Sequence, residues 1–494
     1  MTVDTSTERR RWLALYVLCG GLLMIVLDAT IVNVALPSIQ QDLGFSQSNL
    51  AWVVNAYLIA FGGLLLLAGR IGDLVGQRRV FLAGLAVFTG ASLLCAVAQS
   101  QGVLIGARFV QGAGGAIASA VILGMIVTMF PEPREQAKAI GVYSFVASAG
   151  ASIGLLAGGI LTEAINWHWI FFVNVPIGVA IGLLALRLVD DREGIGLDKG
   201  ADVPGALLLT SGLMLGVYTL LEAGEQGWGS TQTLGLGALS IALIAVFVAR
   251  QARVSNPLMP LRLFRSRNVT GANLVMALLV VGFFGMFFLG ALYMQGILGY
   301  SPLEVGLAFL PSCLVMGMLS LGFAERLIMG IGPRPALIGG LALAAAGLLM
   351  LARSPVDGDY LTDLFLVMLL LGGGAGLAFP ALMTLAMSGA TPSDSGLASG
   401  FVNTTVQVGG AVGLAVLATL ATERTEGLRA DGESAVAALN SGYHLAYLIG
   451  AALTVLAIVV AVLVLRSETP GESENGVTEE SSPEGGAPAY SEAA

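Results

Sequence analysis

GRIGDLVGQRRVF, residues 69–81, sets three arginines, one aspartate and three glycines between two long apolar runs. Glycine lets a chain reverse tightly. Asp73 is suited to accept hydrogen bonds from a helix N-terminus or from an arginine. A generic basic loop would account for Arg70, Arg78 and Arg79, but not for the G-x-x-x-D-x-x-G spacing of Gly69, Asp73 and Gly76. A fainter copy, GFAERLIMGIGPR, residues 322–334, carries Glu325, Arg326, Gly332 and Arg334. Eight apolar runs separate the two loops. That distance implies duplicated halves of six helices each, with two extra helices between them.

The surrounding chain has the composition of a polytopic membrane protein. Of 494 residues, 56% are hydrophobic and only 11% charged, whereas about a quarter are charged in a soluble protein. A membrane helix needs about 20 mostly apolar residues. Fourteen runs meet that need, at roughly 12–36, 49–69, 79–99, 102–130, 137–162, 168–188, 203–223, 232–251, 268–297, 303–325, 335–352, 361–387, 396–421 and 441–466. The fold expected is all-α, with a six-helix bundle over residues 1–188, two additional helices and linkers over 189–267, and a second six-helix bundle over 268–466. Residues 467–494 hold seven acids and no base, and read as a disordered cytoplasmic tail.

Basic residues test this count. With the N-terminus inside, 19 of the 23 lysines and arginines fall in inner segments and three, Arg353, Arg424 and Arg429, in outer ones. The positive-inside rule then places both termini in the cytoplasm. Arg9, Arg10 and Arg11 precede an apolar run too long for a signal peptide. Cys19, Cys95 and Cys313 lie far apart in apolar runs, without metal or redox spacing.

Two charges stand inside spans. Asp28 interrupts the apolar stretch LDATIVNVALP, residues 27–37, and Arg108 sits in LIGARFVQGAGGA, residues 104–116. At 1.5 Å per residue, both lie roughly 9–12 Å below the outer boundary. An unpaired charge at that depth is costly, so the two are natural partners. A bland ion pair would only align two helices. A functional one would let Asp28 bind and release a proton, since burial favours the neutral acid and Arg108 the charged one. Gln111 lies one turn from Arg108, on the same helix face, and is a candidate to line the same cavity. Further polar residues in or near spans are Asn33, Asn55, Tyr57, Glu222, Tyr293, Gln295, Asn403 and Gln407, candidates for a central path or for bonds between helices.

In this order the motifs resemble the fourteen-helix drug:proton antiporters of the major facilitator superfamily. LDATIVNVALP is similar to that family's first-helix signature, residues 69–79 to its loop between the second and third helices, and residues 104–116 to its fourth-helix signature. NWHWIFFVNVPIG (166–178), YMQGILGYSPLEVGLAFLP (293–311) and SGFVNTTVQVGGAVG (399–413) also fit. The fifth-helix antiporter motif is represented by Gly150, Gly154, Gly158 and Gly159, with Leu155 where proline is expected.

The resemblance implies proton-coupled export of small amphipathic or cationic drugs or antibiotics by alternating access. Asp28 and Arg108 would couple the proton. Gly69, Asp73, Gly76, Arg78, Glu325 and Arg326 would form a conformational latch. The expected setting is the cell membrane, with a small-molecule substrate, surrounding lipid and no cofactor beyond the coupling proton. A monomer without a nucleic-acid partner is expected; ATP drive is not expected, because no Walker loop is present, nor an intramembrane enzyme, because soluble catalytic motifs are missing. A uniporter or symporter of a small metabolite is the alternative that Leu155 favours. A non-transporting sensor or scaffold is a further one, which the short loops and polar tail oppose.

Overall fold

The computed structural model describes residues 5–191, 193–194, 196, 200–255, 257–259, 261–388 and 395–465. The acidic tail expected over 467–494 lies outside the described residues. All regular elements described are helical. The first bundle comprises α1 (Thr5–Leu43), α2 (Trp52–Val75), α3 (Gln77–Ala96), α4 (Gln101–Met129), α5 (Pro133–Ala164) and α6 (Trp169–Leu188). Two further helices follow, α7 (Val203–Gln226) and α8 (Thr231–Gln251). The second bundle holds α9 (Arg267–Gly296), α10 (Pro302–Met318), α11 (Pro333–Leu351), α12 (Phe365–Ser388), α13 (Ser395–Ala430) and α14 (Ala435–Leu463).

Among the described residues, 12 helices are long and apolar enough to cross a membrane. The other two expected spans are also helical, but their described apolar stretches are shorter, Ile153–Ala164 in α5 and Pro302–Met318 in α10. The latter ends in a π-helical turn, Leu319–Phe323, before a separate helix Ala324–Ile331.

Helix starts follow their local chemistry. Ser301 and Glu304 form a reciprocal capping box at α10, with Pro302 as its first helical residue. At α7, Asp202 accepts from the Gly205 N–H at 3.0 Å and Pro204 occupies the first turn.

The two related loops adopt the same device. Gly76 (φ 113°) turns the chain from α2 into α3, and Gly332 (φ 88°) turns it into α11. Only glycine takes such angles without strain. Two residues after each glycine an arginine reaches the C-terminal carbonyls of the last helix of its own bundle. Arg78 donates to Leu186 O, and Arg334 to Ala461 O (3.1 Å) and Val462 O. A cation there also complements the helix dipole.

Within the first bundle, α4 packs on α2 and α3 and α5 on α1; within the second, α11 packs on α12 and α14. The bundles meet where α5 crosses α10 and where α2 crosses α13. Helix α7 fills the seam beside α2 and α13, with the Thr419 hydroxyl donating to Leu220 O at 2.9 Å. Helix α8 packs on α7, where the Ser240 hydroxyl donates to Gly212 O at 2.7 Å.

Candidate functional site

Asp28 is buried in the middle of α1, and four helices supply its surroundings. From α4, Arg108 Nη1 reaches its Oδ2 at 2.6 Å and Gln111 Nε2 reaches its Oδ1 at 2.7 Å. From α6, Asn174 Nδ2 donates to Oδ1 at 2.9 Å. Arg108 also donates from Nη1 to Gln111 Oε1 (2.7 Å) and from Nε to Val53 O at the start of α2 (2.9 Å). Gln111 donates in turn to the Ser92 hydroxyl of α3 at 2.8 Å. The guanidinium lies 4.4 Å from the Tyr57 ring centroid and 5.6 Å from that of Phe171. Asp28 and Arg108 are 0% and 1% exposed, so the pair is shielded from bulk solvent. Removing one ion leaves the other buried and unpaired, at a cost of about 3–5 kcal/mol.

Beside this network opens a chamber of about 1460 Å³ between the bundles. Its wall takes Asn33 from α1, Tyr57 and Phe61 from α2, phenylalanines from α9, and Asn403 and Gln407 from α13. It reaches Gly69, Arg70, Asp73 and Arg262, on the face of the protein that carries the two glycine–arginine turns. That face is open. The opposite face is sealed, where Gln295 Nε2 of α9 donates to Val34 O of α1 at 2.8 Å. There too the Leu303 N–H at the start of α10 donates to the Glu163 carboxylate of α5 at 3.1 Å.

Small residues make this seal close. A Cβ on Gly159 would fall 2.8 Å from Leu303 Cα, and one on Gly306 would fall 2.7 Å from Leu155 O. Gly154 and Gly158 instead face α1 at Leu27, Thr30 and Ile31, and Gly150 faces Val26.

The structure thus brings Asp28, Arg108 and Gln111 together, and puts Asn33, Tyr57, Asn403 and Gln407 on the chamber. Asn55 is buried off the chamber, with neither amide atom hydrogen-bonded. Tyr293 donates to Pro355 O at 2.6 Å, Gln295 belongs to the seal, and Glu222 accepts from Gln226 at 2.9 Å. These three do not line the chamber, because each is drawn to a partner at the sealed end or on its own helix. Asp73 is exposed at the open mouth and Arg326 is exposed beyond α10. The side chain of Glu325 lies outside the described residues.

Sequence reasoning missed Asn174 and Ser92, which complete the network. It also missed Asp202, whose side chain is 0% exposed and bound by Arg250 Nε at 2.6 Å and Gln251 Nε2 at 2.7 Å. An asparagine between phenylalanines and proline in FFVNVP, and an aspartate before proline in DVPG, were the available signals.

Helical bundles of this kind, wrapped about a large one-sided chamber, make up a multi-pass membrane transporter for small molecules. Residues 18–414 match the Major Facilitator Superfamily, and the chain belongs to it. It is 40% identical to the puromycin resistance protein pur8 of Streptomyces alboniger over 95% of this chain and 94% of that one. It is 38% identical to the cephamycin export protein CmcT of Amycolatopsis lactamdurans, over 95% and 96%. Among solved structures, a bacterial homolog of the human lysosomal transporter Spinster, inward-facing and unoccupied, superposes with a TM-score of 0.67. The two are 16% identical, and the match covers 92% of this chain and 97% of the other.

Proposed function

We propose that the chain exports small drug- or antibiotic-like molecules across the cytoplasmic membrane in exchange for protons. The observation that carries this reading is the sealed Asp28–Arg108–Gln111–Asn174 network directly behind the wall of a one-sided chamber. The arginine-rich face is cytoplasmic on the positive-inside rule, which makes the open chamber inward-facing and puts both termini inside. Relatives named for puromycin resistance and cephamycin export support the direction of transport.

Tyr57 lies between the pair and the chamber, lining the latter while its ring stacks on Arg108. When the bundles rock and the chamber opens to the outside, movement of Tyr57 would admit water and a proton to Asp28. Protonation weakens the hold of Arg108, and return to the inward-facing state releases the proton inside. No chemistry on the cargo is required, and none of the network's groups faces it directly. Leu155 in place of proline leaves α5 helical across the motif, and the glycine contacts to α1 and α10 are kept.

The test is flux in proteoliposomes under an imposed pH gradient. We expect Asp28→Asn, whose amide oxygen still accepts from Arg108, to be destabilised yet folded and able to bind cargo, but to lose at least about tenfold of the gradient-driven flux. Undiminished gradient-driven flux in that variant would remove the coupling role. Wild-type flux that ignores collapse of the gradient would remove exchange and favour a uniporter.

A further inference from the structure

The walls of the chamber carry information about the cargo. Phe283, Phe284, Phe287 and Phe288 line it from α9. Their i, i+1, i+4, i+5 spacing places them on one helix face. Phe283 meets Phe379 of α12 edge-on, with centroids 5.9 Å apart. On α2, Tyr57 and Phe61 stack at 5.8 Å and also line the chamber.

Charge is distributed quite differently. The charged residues among those lining the chamber are Arg70, Asp73 and Arg262, all at the open mouth. Asp28 is not on the wall, and both its oxygens are held by Arg108, Gln111 and Asn174. A cation in the deep chamber therefore meets no carboxylate among the lining residues, and the aromatic faces there return only about 0.5–2 kcal/mol of cation–π attraction against a larger loss of hydration. One neutral polar group lies within reach of the phenylalanine-lined chamber and is uncommitted. Gln407 lines the chamber with no hydrogen bond to the protein among the described residues, whereas the Tyr57 hydroxyl is buried against α4 and presents only its ring.

We propose that the cargo is an uncharged molecule with two or more aromatic rings and a hydrogen-bonding group, held against the phenylalanine face of α9 with its polar group offered to Gln407. Permanent cations are poor ligands. This specificity rests on the export reading above and narrows it, replacing the amphipathic-or-cationic cargo that resemblance implies.

The test is calorimetric titration of the full chain in lipid nanodiscs with two probes of similar bulk, triphenylphosphine oxide (uncharged) and tetraphenylphosphonium (a permanent cation). The oxide is expected to bind at least about tenfold more tightly than the phosphonium. A Phe284→Ala/Phe287→Ala variant should weaken the oxide about tenfold, whereas the leucine pair at the same positions, which keeps bulk without aromatic faces, should fall between it and wild type. Each variant's helicity and thermal midpoint establish that it is folded. Equal or tighter binding of the phosphonium, no binding of the oxide, or full binding of the oxide by a folded alanine variant would each overturn the proposal. Binding needs no proton gradient, so the two readings separate. Selective binding without gradient-driven flux would sink export alone, and vigorous export of permanent cations would sink the specificity alone.

Discussion

Arg108 bonds through two of its three guanidinium nitrogens. Nε holds Val53 O of α2, while Nη1 bridges Asp28 of α1 and Gln111 of its own helix. Lysine presents a point charge on a flexible stem and cannot serve a planar fork of this kind. Arg108→Lys should therefore keep the charge yet lower gradient-driven flux by about tenfold or more, with thermal unfolding in detergent shifted down by several degrees. Wild-type flux in this variant would show that charge alone suffices. The two ions were legible in the sequence because charges inside apolar runs are conspicuous and their depths match. Gln111 was legible only as a neighbour of Arg108, and its role differs from the cavity-lining one expected. Asn174 and Ser92 were not legible. An amide or hydroxyl in a membrane helix is ordinary, and only the packing of α3 and α6 around α1 and α4 gives these two their partners.

At the scale of elements, the crossing of α5 and α10 determines which face is shut. The glycine run ending in Gly158 and Gly159 was visible in the sequence, and its physical sense, close approach of backbones, is what Gly159 and Gly306 deliver. The division of labour was not visible. Gly154 and Gly158 bind α5 within its own bundle, while Gly159 binds the other. Nor was Glu163, which looks like any acid at a helix end until α10 brings its N-terminus alongside. Its carboxylate caps that helix across the bundle interface, and a negative charge at a helix N-terminus contributes about 0.3–1 kcal/mol. Glu163→Gln should shift the equilibrium away from the inward-facing state by roughly two- to fivefold. Spin-label distances across the sealed face would read that shift, and an unchanged distance distribution would dismiss the cap as incidental. The π-helical turn at Leu319–Phe323 was equally hidden, since a single glycine, Gly322, does not announce one; it interrupts the α-helical pattern inside the tenth span expected from hydropathy.

For the molecule as a whole, the two glycine–arginine turns carried the duplication in the sequence, and each is seen to tie its bundle's last helix to the loop. The extra pair α7–α8 depends on a buried acid instead. Burial opposes charge on Asp202, but hydrogen bonds from Arg250, Gln251 and the Gly205 N–H, with the charge of Arg250, outweigh it and hold the carboxyl below the usual carboxylate range. A depressed folded-state pKa contributes stability above the unfolded value, about 3.9, and loses it as pH falls through the folded value. Asp202→Asn should therefore lower the thermal midpoint at pH 7, with the difference from wild type shrinking below about pH 4. A constant difference across that range would assign the effect to shape alone. The rocking of bundles about the chamber is tested by holding the seal shut. Val34 and Gln295 touch across it, and the native cysteines Cys19, Cys95 and Cys313 are buried. With those three replaced by serine or alanine, Val34→Cys/Gln295→Cys joined by a short bifunctional thiol reagent should abolish flux, and a reductant that cleaves the linker should restore it. Flux that persists in fully cross-linked protein would mean that cargo crosses without the sealed face opening there, and a rocking mechanism would have to be abandoned.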